Sequence, residues 1–279
     1  MSLILGAHMS IGKGFPEAAG RTADVYGANA MQVFTKNPRG RGAKPILKKD
    51  AKEFKTICKK EKIEFVSAHS SYLLNFAKSL PKNHWSFKDI KIDLERITLL
   101  GGVGSVLHIG KRLELDYDVA EKYLAENILH ILKITEKTGA LLILENTAGQ
   151  GSEMGTNFKQ LASLYKKLKK HKRVKFCLDT CHTFAAGYDW TKGPNKIFKE
   201  FDKQIGLKNL VCMHFNDSMK EVNSKRDRHD NIGKGKIGLK NMKNIAMFAK
   251  KHSIPLILET PEKTITHEQD MKIIRNWKI

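Results

Sequence analysis

The feature that most constrains the fold is a regular alternation of short apolar runs with longer amphipathic segments. Eight runs rich in aliphatic and β-branched residues have the length of strands: Leu3–Met9, Ala30–Thr35, Glu64–His69, Ser105–Ile109, Leu141–Thr147, Val174–Thr180, Leu210–Asp217 and Pro255–Thr260. Apolar residues recur at helical spacing between them, as in Ala51–Glu61, Val119–Thr138, Phe158–His171 and Leu239–His252. Strand–helix alternation repeated eight times predicts an α/β fold, the (β/α)8 TIM barrel. A doubly wound open sheet has the same periodicity and is the alternative.

No stretch rich in Pro, Gly or Ser separates these alternating units, so we find no domain boundary in the sequence. Residues 1–279 are therefore expected to form a single domain, of a length that suits one large barrel. Hydrophobic residues make up 41% of the chain, which is enough for a sizeable core.

Side chains that bind metals stand at the ends of most of the predicted strands. These residues are His69, His108, Glu145, Asp179, His214 and Glu259, and the first predicted strand ends near a further histidine, His8. Because a barrel gathers the carboxyl ends of its strands around one mouth, we expect the side chains to converge there. Imidazole and carboxylate together suit borderline divalent ions, zinc above all, with manganese possible.

A second group of candidate ligands follows the sixth and seventh predicted strands. Asp227 and His229 lie two residues apart in an extended loop, so both can point to one side and bind an ion together with His182. Together with the strand-end residues these make nine candidate ligands, which is more than two metal ions usually need. Two close metal ions with a bridging carboxylate are a recurrent device for phosphodiester hydrolysis.

Each of these positions also has a purely structural interpretation. A single His or Glu at a strand end is usually held by ordinary hydrogen bonds. However, Glu145 and Glu259 each follow three aliphatic residues, where a lone carboxylate would be costly unless it were paired or coordinated. The succession of strand ends therefore favours a metal centre, and Cys181, beside His182, is interpreted as a packing residue.

The charge of the chain points to an acidic partner. Fifty Lys and Arg residues stand against 29 Asp and Glu, for a net charge of +21. A polyphosphate backbone is the commonest partner of such a protein, whereas a lysine-rich surface without a specific partner is the alternative.

The cysteines and the apolar runs indicate where in the cell the protein is expected. Four scattered cysteines (Cys58, Cys177, Cys181 and Cys212) do not make a secreted disulfide scaffold. The N-terminus lacks the features of a signal peptide, and no apolar run approaches the roughly 20 residues that cross a bilayer. We expect a soluble, intracellular protein without a membrane partner.

Over essentially its whole length the sequence resembles the endonuclease IV family, the class II abasic-site nucleases. The resemblance rests on blocks that occur in the family's order: Gly6–His8, Phe34–Asn37, His69–Asn75, Leu144–Gly151, Leu178–Asp189, His214–Ser218, Asp227–His229, Gly233–Gly238 and Pro255–Thr260.

The resemblance implies a cofactor of three zinc ions and a hydrolytic reaction. The implied ligands are His69 and His108 for one ion, Asp179, His214 and Glu259 for a second, Glu145 as the bridge between them, and His182, Asp227 and His229 for the third. The implied reaction cuts the phosphodiester 5′ to an abasic site in duplex DNA, leaves a 3′-hydroxyl, and extends to blocked 3′ ends. Glu145 and Glu259 are the implied catalytic residues.

The resemblance also implies how damaged DNA is recognised. Tyr72 and Leu73 match the family residues that wedge into the gap left by the missing base, and Arg39 matches a third contact. The loop Pro38–Gly42 departs from the family pattern, because relatives carry a larger aromatic or polar residue after the arginine. Ser70 is a second departure, at a position where many relatives have an acidic or small residue. Binding across the barrel mouth suggests a monomer.

There are two rival functions, one of another enzyme and one of a non-enzymatic protein. A metal-dependent sugar isomerase or epimerase can use the same barrel, but it needs neither a net charge of +21 nor the Asp227–His229 pair. A DNA-binding protein with structural zinc is disfavoured, because structural sites are usually closed by four protein ligands.

Overall fold

The computed structural model of the chain describes residues 2–40 and 43–279. Arg41 and Gly42, part of the loop that departs from the family pattern, lie outside the described residues. Eight parallel strands close into a barrel in which each strand lies beside its neighbour in the sequence and the last lies beside the first. The strands are β1 (Leu5–Met9), β2 (Ala30–Phe34), β3 (Phe65–His69), β4 (Gly104–His108), β5 (Leu141–Glu145), β6 (Val174–Asp179), β7 (Leu210–His214) and β10 (Leu256–Leu258). The predicted barrel is confirmed, and the open sheet is excluded.

Helices between the strands form the outer layer of the barrel. They are α1 (Phe15–Asp24), α2 (Lys48–Lys60), α3 (Trp85–Leu99), α4 (Tyr117–Ile134), α5 (Phe158–Lys167), α6 (Thr180–Ala186), α7 (Pro194–Gln204), α8 (Leu239–Lys251) and α9 (His267–Arg275). Short 3-10 turns occupy Glu136–Thr138, Trp190–Lys192 and Leu207–Asn209. None of the helices described is long and apolar enough to cross a membrane.

The helix α4 shows why these segments lie on the barrel. Its buried residues include Ala120, Leu124, Ile128 and Ile131, which recur every three or four positions and form one stripe. Burying a large aliphatic side chain contributes roughly 1.5–3 kcal/mol, so this stripe fixes the face that α4 turns toward the strands.

The side chains inside the barrel form layers, and the layer at the mouth is polar. One buried layer consists of Ala30, Phe65, Val106, Ile143, Cys177, Cys212 and Ile257. Side chains two residues apart along a strand point the same way. The residues two positions further toward the carboxyl end are Gln32, Ser67, His108, Glu145, Asp179, His214 and Glu259. The chain thus places a polar layer directly above an apolar one.

Several predicted strands end earlier in the structure. The seventh, expected to reach Asp217, stops at His214, and Asp217–Ser218 forms the short strand β8, which pairs antiparallel with β9 (His229–Asp230). The backbone N–H of Asn216 donates to Thr180 Oγ1 at 2.9 Å and so leaves the sheet. This small antiparallel pair holds the loop that carries Asp227.

Candidate metal centre and its loops

All nine candidate ligands lie at the carboxyl end of the barrel. The strand register places two pairs side by side, since His108 is opposite Glu145 and Asp179 is opposite His214 on neighbouring strands. His182 lies in α6, directly after β6, and is buried. The alternation of side chains along parallel strands is therefore sufficient to bring residues distant in sequence to one point.

The candidate ligands form three adjoining sets. In each set the donor atoms lie within 4.8 Å of one another. The sets are His69, His108 and Glu145; Glu145, Asp179, His214 and Glu259; and His182, Asp227 and His229. Glu145 belongs to two of the sets and so occupies a bridging position.

Glu145 is fully buried among four imidazole rings. Its Oε1 lies 2.8 Å from His214 Nδ1 and 3.3 Å from His182 Nδ1, and its Oε2 lies 3.1 Å from His108 Nε2 and 3.3 Å from His69 Nε2. Burial alone would raise the pKa of Glu145, but the charges of His214 and His108 outweigh burial and hold the pKa well below its ordinary value. The carboxylate is therefore ionised, which the chemistry of a bridging ligand requires.

The pKa values of His214 and Asp227 are also shifted in favour of their charged forms. Burial lowers the pKa of His214, but the charges of Glu145 and Glu259 prevail and raise it to about 10. Burial is likewise overcome at Asp227, where the charge of His182 holds the carboxyl pKa below its ordinary value. The proton that His214 retains balances part of the neighbouring carboxylate charge, and a metal ion would replace that proton as the counter-charge.

The orientation of His229 fits metal binding better than hydrogen bonding. Its Nε2 is buried and lies 3.2 Å from Asp227 Oδ1 and 3.4 Å from Asp179 Oδ2, yet it makes no hydrogen bond of acceptable geometry. The three donor atoms therefore face a common point rather than one another. Imidazole and carboxylate donors that converge in this way are suited to a divalent ion.

Buried asparagines hold several ligands in place, and the sequence analysis did not identify them. The side chain of Asn216 donates to Asp179 Oδ2 at 2.7 Å and accepts from the backbone N–H of Glu259 at 2.8 Å. Asn146 accepts from the backbone N–H of Asp179 at 2.8 Å, and its carbonyl lies 3.0 Å from His182 Nδ1. Both asparagines occur in the blocks that carry the family resemblance, which is the signal that could have found them.

His8 and Gln32 also belong to the site. His8, noted as the end of a strand but not assigned a role, lies 3.2 Å from Glu259 Oε1 through its Nδ1. Gln32 is fully buried in the polar layer and contacts both Glu259 and His214. Its position two residues after Ala30 of the apolar layer is the sequence signal that marks it.

Cys181 lies closer to the centre than its interpretation as a packing residue implied. Its thiol is within 4.8 Å of ligand atoms of Asp179 and His229. The side chain is fully buried, and burial raises the pKa of the thiol to about 12. A thiol of that pKa is protonated at neutral pH, and the side chain packs beside the centre.

The residues expected to contact DNA surround the mouth on the side of β2 and β3. Tyr72 and Leu73 are 58% and 51% exposed, which is unusual for large apolar side chains. The Tyr72 ring contacts Phe34 and His69, with centroid distances of 5.2 Å and 5.7 Å. Arg39 is exposed on the neighbouring loop. These three side chains are therefore free to meet a ligand at the edge of the centre.

A cavity of about 340 Å³ opens above the candidate ligands. Its walls include His69, His108, His229, Glu259 and the ring of Tyr72. The volume falls within the range of roughly 300–1,000 Å³ typical of small-molecule sites. A group bound in this cavity would touch the ligand sets and the exposed aromatic residue at once.

The fold and the site together define a class, the (β/α)8 barrels with a histidine–carboxylate centre at the mouth. Residues 21–277 match the family model described as xylose isomerase-like TIM barrel. A protein of Clostridium beijerinckii named probable endonuclease 4 is 36% identical over 276 residues, 98% of each chain. The crystal structure of endonuclease IV from Thermus thermophilus superposes with a TM-score of 0.86 at 29% identity, covering 98% of each chain.

The chain therefore belongs to the endonuclease IV family, within the xylose isomerase-like TIM barrels. The crystal structure of a 3-keto-D-glucoside 4-epimerase from E. coli also superposes, with a TM-score of 0.70 over 99% of each chain. Its sequence is only 12% identical, so this likeness shows a shared fold and nothing of the reaction.

Proposed function

We propose that this protein is a zinc-dependent endonuclease of base excision repair that cuts DNA at abasic sites. The reaction hydrolyses the phosphodiester 5′ to the abasic deoxyribose in a duplex, and it leaves a 3′-hydroxyl and a 5′-deoxyribose phosphate. The observation that carries the proposal is the group of three adjoining ligand sets sharing Glu145, beneath a cavity edged by exposed Tyr72. Membership of the endonuclease IV family supports it.

In this proposal the three ligand sets would hold three zinc ions, and manganese is the other ion that these donors suit. The first ion would be held by His69 and His108, the second by Asp179, His214 and Glu259, and the third by His182, Asp227 and His229, with Glu145 shared between the first two. Bound zinc supplies Lewis-acid stabilisation of the phosphate charge and makes water acidic enough to react at neutral pH.

Glu145 and Glu259 are the catalytic residues in this proposal, and they differ in access. Glu145 is fully buried between two ligand sets, which suits a bridge that holds the centre together. Glu259 is 17% exposed and lines the cavity, so its carboxylate can reach the reacting phosphate and orient the attacking water. The same placement serves a blocked 3′ end, because the scissile phosphorus occupies the same position.

Recognition of the abasic site rests on the side chains at the edge of the mouth. A nucleotide without a base is easy to flip out of the duplex, and it leaves a gap in the stack. Tyr72 and Leu73 would fill the gap, while Arg39 would contact the strand beside it. The net charge of +21 supports salt-sensitive contacts with the phosphates of duplex DNA. In this proposal residues 1–279 act as one domain and as a monomer.

The decisive experiment is cleavage of a labelled duplex that carries one synthetic abasic analogue. Zinc-loaded protein should produce a single nick on the 5′ side of the analogue and leave a 3′-hydroxyl that a polymerase can extend. The variant His69→Ala, incubated in parallel, should produce none. If zinc is bound and no nick appears, the endonuclease proposal is wrong, and epimerisation of a ketose should then be assayed on the same preparation.

A further inference from the structure

Three of the five candidate histidine ligands direct the same ring nitrogen at a backbone carbonyl. His69 and His182 each direct Nδ1 at a backbone carbonyl, that of Ser70 at 2.8 Å and that of Asn146 at 3.0 Å. His229 directs Nδ1 at the carbonyl of Glu259 at 3.2 Å. A carbonyl can only accept, so these rings carry the proton on Nδ1 and present Nε2 to the centre.

His214 departs from this pattern. Its Nδ1 faces the centre, 2.8 Å from Glu145 Oε1 and 3.1 Å from Glu259 Oε2. Its Nε2 instead lies 3.0 Å from Oε1 of Gln32. The acceptor that fixes this ring is therefore an amide side chain, which could turn over and present its NH2 group instead.

The surroundings of Gln32 fix which way its amide points. Its Nε2 lies 2.7 Å from Glu259 Oε1, and an ionised carboxylate accepts but cannot donate. The NH2 group must therefore face Glu259, which leaves Oε1 to accept from His214. The hydroxyl of Ser67 also donates to Gln32 Oε1, at 3.3 Å. In the opposite orientation the amide oxygen of Gln32 would lie 2.7 Å from a carboxylate oxygen of Glu259, so that two acceptors would face each other. The NH2 group would then point at the N–H of His214, so that two donors would face each other.

We propose that Gln32 is a positioning residue of the metal centre, which selects Nδ1 of His214 as the ligand atom and holds one oxygen of Glu259 so that the other faces the ion. This inference rests on the proposed zinc centre and deepens it. Gln32 itself lies behind the ligands, fully buried, and its own atoms do not line the cavity above them. Its influence on the reaction is exerted through His214 and Glu259.

The test replaces Gln32 with methionine, which has nearly the same length and volume but no hydrogen-bond donor and only a weakly accepting sulfur. Outer partners of metal ligands typically contribute a factor of 10–100 in metal affinity. Competition with a chromogenic chelator should therefore show one of the zinc ions bound about 10–100-fold more weakly in Gln32→Met than in the unchanged protein. Cleavage of abasic duplex at saturating zinc should show a lower kcat with KM nearly unchanged.

A matched control is Gln160→Met. Gln160 also uses its amide oxygen in a turn, accepting from the backbone N–H groups of Gly155 and Thr156 at 2.9 Å and 3.0 Å, but it contacts none of the candidate ligands. Its replacement should leave the zinc affinities unchanged. The variant Ser67→Ala, which removes only the longer contact to Gln32, should weaken the same ion by less than Gln32→Met does.

The outcomes separate this inference from the proposed function. If the unchanged protein binds zinc and Gln32→Met binds every ion equally tightly, the positioning role is overturned. An equal loss in Gln160→Met would also overturn it, because a general loss of folding would then explain the effect. If the unchanged protein binds no zinc, the proposed zinc centre is wrong, and the positioning role of Gln32 is overturned with it. Circular dichroism of the zinc-free variants confirms that each one is folded.

Discussion

Asn216 offers the sharpest test of how the barrel holds its ligands, because one buried side chain serves two of them. Its amide donates to Asp179 Oδ2 at 2.7 Å and accepts from the backbone N–H of Glu259 at 2.8 Å. The residue is fully buried at the end of β7. Replacement by alanine should therefore disturb the stability of the protein and its affinity for zinc together.

The structure sets the size of both effects. Asn216→Ala leaves a carboxylate oxygen and a backbone N–H without partners, and each unsatisfied buried group costs about 1–3 kcal/mol. The zinc-free protein should lose roughly 2–6 kcal/mol of unfolding free energy by this route. A 10–100-fold weaker zinc site adds about 1.4–2.7 kcal/mol when zinc is in excess. The loss should thus be larger with zinc than without it.

Denaturant unfolding with and without a chelator measures this difference. The matched control is Asn209→Ala at the opposite end of β7, where the buried amide donates to the Ile205 carbonyl and accepts from Lys175 Nζ, both at 2.7 Å. Its loss of stability should be the same in the two conditions. If Asn216→Ala loses equal stability with and without zinc, Asn216 is a structural residue only, and the reasoning that ties it to the ligands is wrong.

Three further predictions concern catalysis, recognition and pH. Glu259→Gln should nearly abolish single-turnover cleavage while abasic duplex is still bound, and an equal loss of binding would contradict its catalytic role. Replacing Tyr72 and Leu73 together with alanine should reduce the preference for abasic over intact duplex in competition binding, with an unchanged zinc content by elemental analysis. Zinc must displace the proton of His214, because the carboxylates raise the pKa of this residue to about 10. Zinc affinity should therefore rise with pH between about 6 and 9. An affinity independent of pH would show that no proton is displaced.

Much of the site could be predicted from the sequence, because a barrel brings the carboxyl ends of its strands together around one mouth. The pattern of three aliphatic residues followed by Glu145 marks a carboxylate that must be compensated, and the structure surrounds it with imidazoles. The residues that act through others could not be found in this way. The strand alternation marks Gln32 on β2 as an inward residue, but its contact with His214 on β7 crosses the interior and depends on the closure of the barrel rather than on any local pattern.

The loop after β7 was the least predictable part for a related reason. Asp227 and His229 were recognised as a pair, but the short strands β8 and β9 that hold them were not. Asp217 in β8 accepts from the backbone N–H groups of Gly233 and Ile237, at 3.1 Å and 2.9 Å. A side chain at Gly235 would overlap the Ser218 carbonyl, so only glycine permits this close approach. Two-residue strands carry no periodicity from which they could be predicted.

The charges of the centre give a physical reason to prefer an anionic substrate over a neutral sugar. The nine candidate ligands comprise five histidines, neutral once they are coordinated, and four carboxylates. Three zinc ions would bring six positive charges against those four negative ones, so the proposed centre carries an excess of about two positive charges. A phosphodiester supplies negative charge that offsets part of this excess, and the negative charge that develops on the phosphoryl and leaving oxygens during hydrolysis offsets more of it. A ketose supplies none. The third ligand set, with its ion and one carboxylate, therefore raises the excess from about one positive charge to about two. Disrupting it by His229→Ala should reduce phosphodiester cleavage more than it reduces the stability of the barrel.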